Sequence, residues 1–269
     1  MLKVLWAEQS PVMANDRGLA YGDGVFETIR VHRGQGVLLS RHLERMLSGA
    51  QRLGIPLAAK DLASKVGQAL DRYDDHGDWI LKLILTRGIG GRGYVPPAVS
   101  NPHLIVSRHG MPTLPDTSGV VAHVAKHPLV VNPALAGLKS LNRLDQVMAS
   151  REMPPGSYEV LLTDVAGRLL EGSRTNVLLH HQSGWYTPPA ASVAVRGVML
   201  DYVTDHLQRG GSPVRERAIP LSMLAQPGLL GLFLLNSVIG VVPVRRIGCQ
   251  HLPIDGALAT ISDPLTSQK

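Results

Sequence analysis

The middle of the chain reads Gly137-Leu138-Lys139-Ser140-Leu141-Asn142-Arg143-Leu144-Asp145. Lys139 follows the uncharged run 128–138 and precedes apolar residues at helical spacing, so we expect it where an extended segment turns into a helix. A partly desolvated lysine amine can form a Schiff base with a carbonyl compound. An ordinary solvated lysine at a helix start fits the same pattern, and the surrounding sequence must decide between the two interpretations.

The neighbourhood of Lys139 sets it apart from the other lysines. The chain has seven lysines, of which Lys60 and Lys65 fall in a helical pattern and Lys3 and Lys269 lie near the termini. After Lys139 the spacing predicts a helix with one apolar stripe. That stripe comprises Leu141, Leu144, Val147 and Met148.

The composition is that of a globular protein. The chain has 269 residues, of which 44% are hydrophobic and 18% charged, which predicts one large or two ordinary domains and excludes a disordered chain. The net charge is +6, but the basic residues are scattered and only 4% of residues are aromatic. We therefore expect no nucleic-acid binding, because the basic groove with stacking aromatic residues is missing.

Cysteine content and hydropathy bear on location. The single cysteine, Cys249, cannot form an internal disulfide, which fits a reducing cytoplasm. Residues 1–8 hold too short an apolar run for a signal peptide. Residues 218–244 carry no charge and are long enough to span a bilayer, but prolines and glycines divide them. We predict a short helix and a buried hairpin there, and no membrane span.

The pattern along the chain predicts an α/β N-terminal domain, 1–109, a linker, 110–119, and a β-rich C-terminal domain, 120–269. In the first domain we expect a strand over 21–31, a helix from an N-cap at Ser40 to Leu53 and a second helix near 61–73. Residues 10–19 read as a turn-rich loop. The second domain reads as short strands with one helix after Gly197.

The glycine run 88–93 formally matches the dinucleotide-binding fingerprint Gly-x-Gly-x-x-Gly. That motif requires a helix directly afterwards, and Tyr94, Pro96 and Pro97 follow instead. We reject a dinucleotide site and predict a loop that carries Arg87, Arg92 and Tyr94 over a binding site. The histidines show no metal-ligand spacing, so we also expect no metal.

Five segments in their order along the chain resemble the fold type IV pyridoxal-phosphate enzymes. Within that group the sequence is most similar to the 4-amino-4-deoxychorismate lyases, and the branched-chain and D-amino-acid aminotransferases share its lysine and glutamate motifs. The resemblance covers nearly the whole chain. The segments are Tyr21 to Arg30, His42-x-x-Arg45, Thr86 to Tyr94 with its glycine run, Lys139 to Arg143, and Glu171-Gly-Ser-x-x-Asn176.

The resemblance implies a two-domain α+β fold whose cofactor, pyridoxal phosphate, is held by Lys139 through a Schiff base. It implies that Glu171 faces the pyridine nitrogen, where a carboxylate keeps that nitrogen protonated. Without the motif, Glu171 would be read as an exposed turn residue and Arg45 as a solvated one. The implied phosphate contacts and supporting residues are Arg45, Asn176, Gly197, Val198, Met199, Asn236, Ser237 and Val238.

The resemblance also implies a substrate side of the cofactor. The proton donor to the leaving group is either a nearby hydroxyl, for which Thr28 is the candidate, or Lys139 itself. Arg30 and Arg92 suit the two carboxylates of the substrate, since guanidinium groups pair well with carboxylates. From the glycines at 22 and 24 alone, a plain bulge explains the 21–31 segment equally well. The implied substrate-contacting residues are Tyr21, Phe26, Arg30, Arg87, Arg92 and Tyr94.

The function implied is a lyase that converts 4-amino-4-deoxychorismate to 4-aminobenzoate and pyruvate, a step toward folate, in a cytoplasmic homodimer. An aminotransferase acting on D- or branched-chain amino acids is the first alternative, and the loop 86–94 together with Lys139 to Arg143 favours the lyase. A non-catalytic binding protein of the same fold is the second alternative. The presence of Lys139, Glu171 and Arg45 together argues against it.

Overall fold

A computed structural model of the chain describes residues 2–73 and 77–265. The described residues divide into two units: 2–112 with 138–142, and 113–137 with 143–265. Each unit is built around one β-sheet, and helices flank the sheets, so the predicted α+β fold is confirmed. The long segment of the first unit ends inside the predicted linker 110–119. The return of 138–142 to the first unit gives Lys139 neighbours from that unit.

The first unit contains a five-stranded sheet and three helices. Its strands stand in the order β1-β5-β4-β2-β3, and all neighbours are antiparallel except β1 and β5. In chain order its elements are β1 (Lys3–Trp6), α1 (Arg17–Tyr21), β2 (Gly24–His32), β3 (Gln35–Gly36), α2 (Leu39–Leu53), α3 (Ala59–Tyr73), β4 (Asp78–Thr86) and β5 (His103–Gly110).

Alternation along β2 determines which face meets the helices. Val25, Glu27 and Ile29 are buried, while the intervening Phe26 and Thr28 are only half-buried, as the period of two requires. Helix α2 packs on β2, and its buried residues include His42, Met46 and Ala50. Glu27 therefore points toward α2, whereas Phe26 and Thr28 point to the opposite face of the sheet.

Two local predictions for the first unit were wrong. Helix α2 begins after Leu38, whose left-handed backbone, with φ of 54°, ends the preceding turn without a side-chain cap. Ser40, the predicted N-cap, lies inside the helix. The predicted loop 10–19 contains the start of α1, because the Asp16 side chain caps it by accepting a hydrogen bond from Gly18 N–H at 2.8 Å.

The second unit contains a ten-stranded sheet in the order β11-β10-β9-β13-β14-β6-β7-β8-β12, with β15 paired to β14. Its elements are β6 (Val120–Val124), α4 (Leu144–Ser150), β7 (Glu159–Thr163), β8 (Arg168–Gly172), β9 (Asn176–His181), β10 (Gly184–Thr187), α5 (Val198–Arg209), β11 (Val214–Glu216), β12 (Ile219–Pro220), β13 (Leu229–Asn236), β14 (Gly240–Ile247) and β15 (Gln250–His251). One apolar core, which includes Val177, Leu232 and Val244, lies against this sheet.

Residues 218–244 fold as predicted, with a 3-10 turn over Leu221–Ala225 followed by the hairpin of β13 and β14. None of the helices in the described ranges is long and apolar enough to cross a membrane. The helix predicted after Lys139 is α4, which begins at Leu144, so Leu141 of the predicted stripe lies before it. Leu144, Val147 and Met148 are 72%, 54% and 51% exposed, so their apolar stripe does not form core.

Candidate active site

The anchor segment, residues 138–142, lies along the start of β2. The Phe26 N–H donates to the Lys139 carbonyl at 3.0 Å, and the Leu141 N–H donates to the Gly24 carbonyl at 3.0 Å. Leu138 is buried against α2 at Gly49, where an added Cβ would stand 3.0 Å from the Leu138 Cδ1 atom. These contacts fix the backbone on both sides of Lys139.

The Lys139 side chain lies over the face of an aromatic ring. Its Nζ atom is 4.2 Å from the centroid of Phe26, within the range of a cation–π contact. The Nζ atom of Lys82 on β4 is 5.8 Å from the same ring. Lys82 is paired across the strands with Thr28, so both lysines and Thr28 belong to the Phe26 face of the sheet.

The opposite face of β2 carries a buried charged cluster. Glu27 accepts hydrogen bonds from Arg45 Nε at 2.7 Å and from Arg45 Nη2 at 2.5 Å, and its Oε2 atom is 2.6 Å from His42 Nδ1. Burial alone would raise the pKa of Glu27, but the charge of Arg45 and the hydrogen bonds outweigh it and lower the pKa to about 2. Sequence reasoning identified Arg45 and missed Glu27.

The glycine-rich loop is held by Arg17, a second residue that sequence reasoning missed. Arg17 is 3% exposed and donates to the Gly93 and Tyr94 carbonyls at 3.0 and 2.9 Å. The Tyr21 hydroxyl accepts from the Gly93 N–H at 3.0 Å, and the Tyr21 and Tyr94 rings meet edge to face. Arg92 on this loop is exposed.

Arg87 and Arg30 are more deeply buried than a substrate-binding role predicts. Arg87 donates to both Asp23 oxygens and to the Leu53 and Gly54 carbonyls at the end of α2. These bonds tie Arg87 to the protein, and its predicted substrate contact stays a prediction. Arg30 donates to Asp78 Oδ2 at 2.7 Å.

The second unit presents a buried carboxylate next to a helix start. Glu171 on β8 accepts from the Ala194 and Val195 N–H groups at 2.9 and 3.1 Å and from Gln146 Nε2 at 3.2 Å. Burial raises the pKa of Glu171 despite these hydrogen bonds and the charge of Arg143. A buried carboxylate with mostly neutral partners is suited to a positively charged group.

Asn176 supports the N-terminus of α5. Its Nδ2 atom donates to the Val195 carbonyl at 2.7 Å, and its Oδ1 atom would lie 1.8 Å from a Cβ on Gly197. Only glycine fits there. Gly197 caps the helix without a side-chain bond, and the first intrahelical bond runs from Asp201 N–H to the Gly197 carbonyl. The N–H groups of Val198 and Met199 precede that bond, as in a phosphate-binding helix start.

The turn 236–238 lies at the end of β13, whose Leu235 pairs with Asn176 on β9. Asn236 Oδ1 accepts from the Val238 and Ile239 N–H groups at 2.9 Å each, and its Nδ2 atom donates to the Arg174 carbonyl at 3.2 Å. The second unit therefore brings together the predicted residues Glu171, Asn176, Gly197 to Met199 and Asn236 to Val238.

A third unpredicted residue, Glu159, shapes the turn between β8 and β9. It is fully buried and accepts from Ser173 Oγ at 2.6 Å and from Thr175 Oγ1 at 2.9 Å. The turn separates Glu171 from Asn176. In residues 2–73 and 77–265, no group of three or more His, Cys, Asp and Glu side chains is arranged to hold a metal ion.

The donor set in each unit fits pyridoxal phosphate. The first unit offers an amine over an aromatic ring and an oriented guanidinium, and the second offers a buried carboxylate and a glycine-capped helix start. A Cβ at Gly197 would meet Asn176 and close the approach to that helix start. These groups match an aldehyde, a phosphate and a basic ring nitrogen.

Comparison with known proteins agrees with this chemistry. The model of the family "Amino-transferase class IV" matches residues 24–247. An aminodeoxychorismate lyase of Vibrio harveyi is 30% identical over 251 residues, which cover 92% of this chain and 91% of that protein.

Two solved structures extend the comparison. The crystal structure of 4-amino-4-deoxychorismate lyase from Pseudomonas aeruginosa is 37% identical with a TM-score of 0.89, and the match covers 95% of this chain and 94% of that one. A hypothetical aminotransferase from Mycobacterium tuberculosis in a PLP-bound form is 22% identical, with a TM-score of 0.81. The match covers 98% of this chain and 94% of that one, and it shows that the two share the fold. The chain belongs to the class IV aminotransferase family.

Proposed function

We propose that the protein is a pyridoxal-phosphate-dependent lyase that converts 4-amino-4-deoxychorismate to 4-aminobenzoate and pyruvate, a step in 4-aminobenzoate and folate biosynthesis. The observation that carries the proposal is the position of Lys139 Nζ over the Phe26 ring in the first unit. The burial of Glu171, an observation within the second unit, supports it. The relatives from Vibrio harveyi and Pseudomonas aeruginosa, which are named for this lyase, support the choice of reaction.

The residues described above would hold the cofactor as follows. Lys139 Nζ would bind its aldehyde, Glu171 would keep its ring nitrogen protonated, and Arg45 would contact its phosphate. The α5 start at Gly197 to Met199, supported by Asn176, and the turn Asn236 to Val238 would supply further phosphate contacts. Pyridoxal phosphate, when bound, supplies an electron sink for negative charge at the carbon that bears the substrate nitrogen.

The reaction then needs one base and one acid. Lys139 Nζ, once displaced by the substrate amine, would take the proton from the ring carbon that bears the nitrogen. The carbon–oxygen bond to the enolpyruvyl group breaks, the electron pair leaves with the oxygen, and the ring becomes aromatic. We assign Thr28 as proton donor to the departing oxygen, because it shares the Phe26 face with Lys139.

The substrate side is assigned to the Phe26 face and the glycine-rich loop. Arg92 and Arg30 would meet the two carboxylates, and Tyr21, Phe26 and Tyr94 would line the ring. Arg92 is exposed and available to a ligand, whereas Arg30 would have to share its guanidinium with Asp78. Arg92→Ala should therefore raise the Michaelis constant more than Arg30→Ala.

A homodimer is part of the proposal. In the first unit Leu19, Tyr94 and Val95 are 65%, 85% and 86% exposed, and in the second unit α4 exposes Leu144 and Val147. Exposed apolar patches mark surfaces that meet a partner, and we propose that these side chains belong to such surfaces. A second copy of the chain would cover them, and sedimentation should give twice the chain mass of 28.9 kDa. We also propose a cytoplasmic location, for which the single Cys249 is the support.

The test is an assay of both products. Purified protein with pyridoxal phosphate and 4-amino-4-deoxychorismate should release 4-aminobenzoate and pyruvate in equal amounts, and Lys139→Ala should abolish release while Lys126→Ala does not. Borohydride reduction followed by peptide mapping should place the cofactor on Lys139. A label on Lys82 or Lys126 would contradict the anchor. Conversion of a D- or branched-chain amino acid without either product would replace the lyase with an aminotransferase.

A further inference from the structure

The strongest observation outside the assigned roles is the burial of Glu27. Its side chain is 1% exposed, and its two oxygens contact the Arg45 guanidinium and His42 Nδ1, both from α2. A glutamate is rarely buried to this extent unless it is paired. Glu27 lies one residue from Phe26, whose ring contacts Lys139.

The geometry of the Arg45 contact constrains the guanidinium. Nε and Nη2 donate to different oxygens of Glu27, at 2.7 and 2.5 Å, so the contact is side-on and bidentate. A bidentate contact fixes both the plane of the guanidinium and the direction in which its end points. The Arg45 side chain itself is 18% exposed, against 1% for Glu27. Glu27 therefore orients a guanidinium that is accessible from outside the cluster.

A neutral His42 does not compete with Arg45 for the negative charge of Glu27, so Glu27 acts as the counter-ion of Arg45. Burial lowers the pKa of His42, and the charges of Arg45 and Lys139 lower it further against the opposing effect of Glu27. A histidine with a lowered pKa is neutral at physiological pH.

We propose that Glu27 is a positioning residue that holds the Arg45 guanidinium for the phosphate of the cofactor; this inference rests on the proposed function. Pre-orientation reduces the entropy that Arg45 loses when it binds an anion. The rival interpretation is that Glu27 competes with the phosphate for Arg45. The two interpretations give opposite signs when the Glu27 charge is removed.

The experiment compares two ligands that differ only by the phosphate. Apoprotein is titrated with pyridoxal phosphate and, separately, with pyridoxal, and the ratio of the two affinities is measured by absorbance. Glu27→Gln should reduce this ratio about tenfold, in the middle of the range for residues coupled in one salt-bridge network. The change should come from pyridoxal phosphate alone. A ratio that rises would establish competition, and a ratio that does not change would remove the role.

Three further variants separate positioning from structural damage. Asp16→Asn is the matched control, because Asp16 is a fully buried carboxylate of the same unit, 2.7 Å from His103 Nδ1 and outside the proposed site. It should leave the ratio unchanged. Glu27→Asp keeps the charge and should give a ratio between those of native protein and Glu27→Gln, and it carries the test if Glu27→Gln does not fold.

Arg45→Gln, alone and combined with Glu27→Gln, completes a double-mutant cycle. It should reduce the ratio, and adding Glu27→Gln to it should reduce the ratio no further, since Glu27 acts through Arg45. Additive losses would contradict this route, and an unchanged ratio in Arg45→Gln would overturn the inference itself. The assay contains no substrate, so a failure of the lyase reaction would leave its result intact.

Discussion

Glu27 and Glu171 are two glutamates buried to a similar degree, 1% and 3% exposed, and their pKa values shift in opposite directions. The pKa of Glu27 falls to about 2, because Arg45 makes a bidentate contact with it. Burial raises the pKa of Glu171, because its nearest donors are two backbone N–H groups and a neutral amide. Burial alone therefore does not determine the direction in which the pKa of a carboxylate shifts, because the charge of the hydrogen-bond partner also decides it.

The comparison gives the two residues different tasks. Glu27 already has its cation within the protein, so it stabilises and orients. Glu171 accepts its hydrogen bonds from neutral groups, so a protonated ring nitrogen beside it would stabilise its ionised form. A ligand that carries such a nitrogen would return the pKa of Glu171 toward an ordinary value.

The largest effect is expected for Glu171→Gln in the holoenzyme. An opposite charge at close range shifts a pKa by about 1 to 3 units, so losing it should reduce the protonated ring fraction and turnover by about 10- to 1,000-fold. Steady-state kinetics with 4-amino-4-deoxychorismate would measure the loss, and cofactor absorbance would verify loading. Glu171→Asp retains the charge and should keep more activity. Turnover that equals the native rate would remove Glu171 from the ring nitrogen.

The next effect concerns stability and pH at Glu27. An unperturbed glutamate titrates at 4.5 and folded Glu27 at about 2, so its ionised form stabilises the fold above pH 4.5. That contribution, about 3 kcal/mol for this difference, is lost as pH falls from 4.5 through 2. Urea unfolding at several pH values should show that the native protein has a higher unfolding free energy than Glu27→Gln above pH 4.5. This difference should shrink as pH falls from 4.5 to 2. A difference independent of pH would contradict the assignment.

The smallest expected effect concerns the stability of the apoprotein, where ionised Glu171 acts in the opposite direction to ionised Glu27. Because the folded pKa of Glu171 is raised, ionised Glu171 costs the apoprotein stability, and this cost grows as pH rises from 4.5 through the folded pKa. Glu171→Gln should therefore raise the unfolding free energy of the apoprotein at neutral pH by about 1 kcal/mol. Chemical denaturation without cofactor measures it. A loss of stability would show that the hydrogen bonds to Glu171 outweigh its burial.

The sequence predicted the order of elements well where periodicity was clear. Helix α3 and the hairpin of β13 and β14 appear close to their predicted positions, because periodic or continuous apolar residues determine burial. The helix predicted after Lys139 is present as α4, but the sequence could not say that its apolar stripe is exposed, because helical spacing does not reveal what covers a stripe. The prediction of Ser40 as N-cap was wrong because the helix begins after Leu38, and the sequence does not show that Leu38 adopts a left-handed backbone.

The sequence could point to the candidate site residues that stand in motifs, but it could not point to the residues that hold them in place. Lys139, Glu171 and Arg45 stand in short recognisable patterns. Glu27 was in a quoted motif, yet only the fold shows that it faces α2. Arg17 reaches the loop 88–94 from about 76 residues away in sequence, and no local pattern encodes such a contact. Arg87 stands at the start of the same loop, and four of its hydrogen bonds go to protein oxygens, which the sequence did not predict.

Gly49 sets a limit on how far this protein could be stabilised by design. A glycine inside a helix costs about 1 kcal/mol relative to alanine, so Gly49→Ala would be an obvious choice for strengthening α2. The new methyl group would stand 3.0 Å from Leu138 and from Val25, and Leu138 is bonded to Lys139. Those two side chains would have to give by a few tenths of an ångström before the gain in helix propensity could be realised. At this position, the stability of α2 is therefore set against the packing of the segment that carries Lys139, the proposed anchor.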